Sequence, residues 1–149
     1  MFGYTLRMIL LEKNKSSTNA VQGLLSRHKI RPTSQRIEIA KILLSRPQHL
    51  SADQVLAQVN KDIALVSKAT VYNTLNLFAK KGLVRQVVIE SGKIFFDSNT
   101  EPHHHIFNED TGLLLDVDSD AMVINNLPVL PADLVKSGVD IIIRVKNKF

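Results

Sequence analysis

Cysteine and tryptophan are absent from the 149-residue chain, and aromatic residues make up only 5% of it. Without thiols there is no disulfide, no iron–sulfur ligation, no Cys-based structural zinc and no catalytic cysteine. Long apolar runs are missing too: none reaches the roughly 18–20 residues that span a bilayer. The opening Met-Phe-Gly-Tyr-Thr-Leu-Arg-Met-Ile-Leu-Leu makes a poor signal peptide. Arg7 interrupts its apolar stretch, and Glu12 and Lys13 follow without a small-residue cleavage site. Residues 1–15 read as a flexible extension, and the chain as cytoplasmic with no membrane partner. No repeat or low-complexity tract is present. The 44% hydrophobic content is that of a folded chain with a packed core.

Charge divides the sequence. Residues 1–99 carry 15 Lys and Arg against 6 Asp and Glu, whereas residues 100–149 carry 4 against 8. A basic first part attracts a polyanion, and an acidic, histidine-containing second part suits a cation.

The first part reads as four helices and a hairpin. A helix runs from about Asn19 to Arg27, and Pro32 bars its continuation. Thr33 caps a second helix bearing Ile37, Ala40, Ile42, Leu43 and Leu44, which Pro47 ends. Ser51-Ala-Asp-Gln54 is a capping box that opens a third helix with Val55, Leu56 and Val59. Ser67 caps a fourth, closed at Lys80-Lys81-Gly82. On it Val71, Leu75 and Phe78 share one face, while Ala69, Tyr72, Asn73 and Asn76 lie opposite, flanked by Lys68 and Thr70. That second face holds donors and acceptors suited to base edges and a phenol suited to a thymine methyl. Residues 83–96 form two apolar strands joined through Glu90-Ser91-Gly92, with Lys93 at the tip. Helices followed by such a hairpin predict a winged helix-turn-helix whose Ser67–Lys81 helix enters the major groove of double-stranded DNA.

In the second part His103-His104-His105 stands out. On a strand, His103 and His105 face one way and His104 the other. Two imidazoles are too few for a metal, and the candidate completions are Asp97, His49 and Asp116. The turn Asn108–Gly112 returns the chain so that Asp116 comes back beside His103 and His105. Imidazoles mixed with carboxylates suit Fe2+, Mn2+ or Zn2+ and are too nitrogen-rich for calcium or magnesium. Residues 139–145 read as a third antiparallel strand whose open edge invites a second subunit.

Arg31-Pro-Thr-Ser-Gln-Arg36, His49-Leu-Ser-Ala-Asp53, Ser67-Lys-Ala-Thr-Val-Tyr-Asn-Thr-Leu75, Lys81-Gly-Leu-Val84, Phe96-Asp97, His103-His-His105 and Thr111-Gly112 together resemble the Fur (ferric uptake regulator) family. They cover roughly residues 20–117, in family order. The resemblance implies a regulatory metal site on His49, Asp97, His103, His105 and Asp116. It also implies base contact by Tyr72 and a minor-groove position for Arg31. The Cys-x-x-Cys that many members use for structural zinc is replaced by Asn108 and Thr111. A further family site needs a His at Pro102, an acid at Val123 and a C-terminal His, so one metal per subunit is expected. Tyr72-Asn73, the His triplet and the missing cysteines look most like the iron response regulator (Irr) branch, whereas Asp116 is similar to the peroxide-sensing branch.

The expectation is therefore an α+β chain. A winged-helix DNA-binding domain spans residues 1–99, and a small antiparallel-sheet dimerisation and metal-sensing domain spans residues 100–149. It would be a homodimeric, repressor-type transcription regulator on an inverted-repeat operator, not an enzyme. Arg31, Arg36, Lys68 and Lys93 would contact phosphate, Thr70, Tyr72 and Asn73 would give sequence preference, and Ser67, the helix cap, belongs to the same DNA-binding set. Its effector would be one divalent transition metal per subunit. Haem on the His triplet or peroxide is the alternative effector within the same family, and a metal-dependent hydrolase is the remote one.

Overall fold

The computed structural model describes residues 18–149, so the extension expected over residues 1–15 lies outside the described residues. Helix α1 (Thr18–Arg27) buries Val21, Leu24 and Leu25 along one stripe. It ends well before Pro32. Lys29 turns left-handed at φ 58°, its N–H donates to Ser26 O, and the Ile30 N–H donates to Leu25 O. This is a Schellman closure with lysine where glycine is usual. Thr33 caps α2 (Ser34–Leu44) by accepting from the Arg36 N–H, and Ile37, Ile39, Ala40, Leu43 and Leu44 are buried. Ile39 is a core residue and Ile42 only packs at the margin, a shift of the apolar stripe from the sequence expectation. The Gln48 amide closes the helix by donating to Ile42 O and Leu43 O.

Strand β1 (His49–Ser51), too short to show periodicity, leads into α3 (Ala52–Val59). The capping box is formed: Gln54 N–H donates to Ser51 Oγ at 3.2 Å, and Ser51 N–H to Gln54 Oε1 at 2.8 Å. Helix α4 (Lys68–Lys80) begins at Ser67 and closes on Gly82, at φ 74°, with the Leu83 N–H donating to Phe78 O. Val71, Leu75, Phe78 and Leu83 are fully enclosed and tie α4 to the common core. Burying each such side chain contributes about 1.5–3 kcal/mol. Strands β2 (Arg85–Glu90) and β3 (Lys93–Asp97) form the expected hairpin about Ser91 and Gly92. β1 joins the free edge of β3, giving the antiparallel order β1-β3-β2.

The chain divides into two compact units between Glu101 and Pro102. In the second, β4 (His103–Asn108) pairs antiparallel with β5 (Leu114–Asp118), and a 3-10 turn (Ser119–Ala121) follows. The last strand corrects the expectation. β6 spans only Ile142–Val145, and it pairs with β4 in parallel, giving the mixed order β5-β4-β6. Parallel pairing needs a long crossover, which the largely irregular stretch from Ser119 to Ile141 supplies. Its end is pinned by His104 Nδ1, which accepts from the Ile141 N–H at 3.1 Å, while the His105 N–H donates to Ile141 O.

Candidate metal centre and nucleic-acid interface

In the first unit, the link between α3 and α4 decides where α4 begins. Asn60 organises it. Its Oδ1 accepts from the N–H groups of Leu65 (2.9 Å) and Val66 (3.0 Å), and its Nδ2 donates to Val66 O (2.7 Å). Sequence reasoning passed over Asn60, although an asparagine just after a helix, ahead of the polar pair Lys61-Asp62, is a local signal of such a turn. Ser67 then caps α4 from the Thr70 N–H and donates its hydroxyl to Thr70 Oγ1 at 2.9 Å. These two hydroxyls are therefore engaged with the helix end first.

Tyr72 and Asn73 stand exposed on the outer face of α4. Arg36, Thr70 and Asn73 come together around a shallow hollow of about 300 Å³, shared with Thr33, Gln35 and Thr74. Arg36 Nη1 donates to Arg31 O at 3.0 Å, which links the two arginines at the start of α2. Lys68 and Tyr72 meet over Asp53: Lys68 Nζ lies 3.8 Å from Asp53 Oδ1, and the Tyr72 hydroxyl donates to the same oxygen at 3.4 Å. Lys93 sits at the wing turn, ion-paired with Glu90 at 3.1 Å. The wing is tied to α4 by Gln86, whose amide donates to Asn76 Oδ1.

The first unit also places His49 and Asp97 directly opposite each other across β1 and β3. Cross-strand partners share a face. Asp97 is buried and accepts from the Asn99 N–H at 2.9 Å, and Arg85 stands opposite it on the other flank. The His49 ring meets Phe95 edge-on at 6.2 Å.

In the second unit the alternation of β4 places His103, His105 and Phe107 on one face, with Asp116 opposite His105 in register. His103 Nε2 lies 3.4 Å and His105 Nε2 3.3 Å from Asp116 Oδ1, and the two rings meet at 4.5 Å. Both imidazoles are buried, while Asp116 is half exposed. The ligand-capable atoms of these three residues all lie within 4.8 Å of one another, a grouping able to hold a metal ion. Two nitrogens and a carboxylate oxygen, with the imidazoles taken out of water, are a donor set suited to Fe2+, Mn2+ or Zn2+. His104 lies on the opposite face of β4 from this group, and its Nδ1 anchors the chain ahead of β6. That role was invisible in the triplet.

The turn between β4 and β5 is held without thiols. Asn108 Oδ1 accepts from the N–H groups of Asp110 and Thr111, Thr111 Oγ1 accepts from Leu113, and Gly112 adopts φ 73°. Asn108 Nδ2 also donates to Asn147, whose own N–H donates to Asp110.

The model of the ferric uptake regulator family matches residues 27–127. A peroxide-responsive repressor, PerR, of Staphylococcus aureus strain Mu50 is 36% identical over 87 residues, 58% of this chain and 59% of that protein. The PerR of strain NCTC 8325 is 34% identical over the same extent. The chain thus spans about three-fifths of the length of the curated relatives it matches. Among solved structures, the ferric uptake regulator of Vibrio cholerae aligns with a TM-score of 0.65 at 21% identity, covering 85% of this chain and 98% of that one. The Pseudomonas aeruginosa regulator, solved with manganese, gives 0.61 at 22% identity, over 84% and 96%. These likenesses establish a shared fold. None of these relatives is an iron response regulator, so that branch gains no support from them. With its model covering about two-thirds of the sequence, from the capped helices through β5, this chain belongs to the ferric uptake regulator family.

Proposed function

We propose that the protein is a homodimeric, metal-responsive, DNA-binding transcription regulator of the repressor type. The observation that carries this is the convergence of His103, His105 and Asp116 on one face of β4 and β5, in a chain whose first unit presents a capped, polar-faced helix on a helix-turn-helix. The proposed ligand set is completed by His49 and Asp97, which oppose each other across β1 and β3. When bound, the metal supplies a positive charge that links ligands from both units and so favours one arrangement of them. Differential affinity for that arrangement is all that a switch requires, and such coupling is worth about 1–3 kcal/mol.

The proposed interface uses α4. Tyr72, Asn73 and Thr70 face the bases, with Ser67 setting the helix start. Arg31, Arg36, Lys68 and Lys93 contribute phosphate contacts. The surface of the second unit supports a second copy: Leu115, Ile106 and Ile143 form one cross-strand row, and Leu115 and Ile143 are exposed. Apolar sheet faces of this kind are covered by a partner, and two-fold pairing implies an inverted-repeat operator. Among the described residues no helix is long and apolar enough to cross a membrane.

The test is operator affinity with and without Mn2+ or Fe2+, for wild type and His103→Ala, after selecting a preferred duplex from a random pool. Metal should tighten or release wild type at least several-fold and leave the variant unchanged; four equal affinities refute the switch. A peroxide-responsive reading is favoured by the naming of the Staphylococcus relatives. It predicts that peroxide abolishes the DNA response of Fe2+-loaded protein and spares Zn2+-loaded protein, because zinc has no redox chemistry.

A further inference from the structure

We propose that Asp53 is a positioning residue for the reading helix. It fixes the Tyr72 phenol in one direction on α4, which raises sequence discrimination, and it holds Lys68 back from phosphate, which lowers affinity for every sequence alike. The proposal rests on the DNA-binding reading.

Asp53 occupies the first turn of α3, where the helix dipole favours a carboxylate. Its Oδ1 receives both the Tyr72 hydroxyl (3.4 Å) and Lys68 Nζ (3.8 Å). The third side of the triangle is closed because the ammonium lies 5.8 Å from the Tyr72 ring centroid. Lys68 and Tyr72 are four apart and so adjacent on the helix surface.

This triangle is not a stability device. The Lys68 and Asp53 side chains are 66% and 70% exposed, and ion pairs so exposed add little to folding stability. Its effect is geometric and electrostatic. A carboxylate only accepts hydrogen bonds, so the phenol must point its O–H toward α3, which selects one direction for a side chain with two free torsions. The lysine, otherwise swinging on a four-carbon stem, is tethered over the ring. A carboxylate beside the reading face also repels phosphate, and this opposes backbone attraction on every sequence alike. That repulsion lowers affinity for every duplex and cancels from the selected-to-scrambled ratio, so discrimination rests on the fixed direction of the phenol.

Two substitutions separate the effects. Asp53→Asn keeps an acceptor for the phenol and removes the charge; Asp53→Ala removes both. In DNA-free protein, proton NMR should show cross-relaxation between the Tyr72 ring and the Lys68 side chain in wild type and D53N, and not in D53A. Fluorescence anisotropy would then compare the duplex selected by wild type with a scrambled duplex across a salt series. Both variants should bind the scrambled duplex more tightly. Each should also steepen the slope of log affinity against log salt by about 0.9, the value of one added phosphate contact. The selected-to-scrambled ratio should fall about fivefold in D53A and stay within about twofold of wild type in D53N. An unchanged ratio in D53A, an unchanged slope in both variants, or persistence of the cross-relaxation in D53A overturns the proposal. If wild type selects no sequence, the DNA reading fails and Asp53's part in specificity falls with it. The NMR arm still reports separately whether the triangle exists.

Discussion

Replacing Asn60 by alanine removes the side chain that closes the turn ahead of α4. Three hydrogen bonds go with it: to the N–H of Leu65, the N–H of Val66 and the C=O of Val66. Their costs differ. Leu65 is exposed, so its N–H finds water and the loss is small. Val66 is 6% exposed, so its two polar groups stay largely dry. Unsatisfied buried groups cost about 1–3 kcal/mol each, and partial access to water in a turn places the total at about 2–3 kcal/mol. In a domain of this size each kcal/mol lowers Tm by about 4–8 °C, so Asn60→Ala should melt about 8–24 °C below wild type. Asn60→Asp retains the two acceptor contacts and loses the donor to Val66 O, so it should fall between the two. Circular dichroism at 222 nm during a thermal ramp measures both. An Asn60→Ala protein melting within about 2 °C of wild type would refute the reasoning. Packing of Val66 and the Ser67 cap would then hold the turn without the amide.

Further outcomes test other parts of the fold. The two Schellman closures give opposite signs: Lys29→Gly should stabilise by about 0.5–1 kcal/mol, and Gly82→Ala should destabilise by about 1 kcal/mol, both read by denaturant unfolding. An added Cβ at Gly82 meets nothing within 4 Å, so that cost is conformational alone. Metal affinity should fall at least about tenfold between pH 7.5 and 5.5, because protons compete for the imidazole nitrogens that would ligate; calorimetry with Mn2+ or Zn2+ checks it, and a flat profile argues against imidazole ligation. The double variant Leu115→Asp/Ile143→Asp should sediment as a monomer at micromolar concentration if the apolar row on β4, β5 and β6 is the subunit contact. His104→Ala removes the acceptor for the Ile141 N–H and should unpin β6, seen as faster amide exchange at Ile142 and Ile143.

Whatever depends on neighbours within one turn or one strand was legible in the residues. Ser51, Ser67 and Gly82 mark helix ends because capping involves groups three to five apart, and Val71, Leu75 and Phe78 face the core because helical spacing requires it. Alternation put His103 and His105 together, and a five-residue turn returned Asp116 to them. Other features were beyond local pattern. Lys29 took a left-handed turn that its type does not announce. His49–Ser51 became a strand only because β3 offered it an edge. The direction of β6 was set by a crossover ending 37 positions from its anchor, where His104 accepts from Ile141. Asp53 reaches Lys68 and Tyr72 only because two helices pack. Alone, the order of residues determined the helices, the wing and the face that groups His103, His105 and Asp116, all of which arise from short-range periodicity and capping. Strand direction, the anchoring role of His104 and the Asp53 triangle were decided by tertiary structure, since each needs groups that only folding brings within hydrogen-bonding reach.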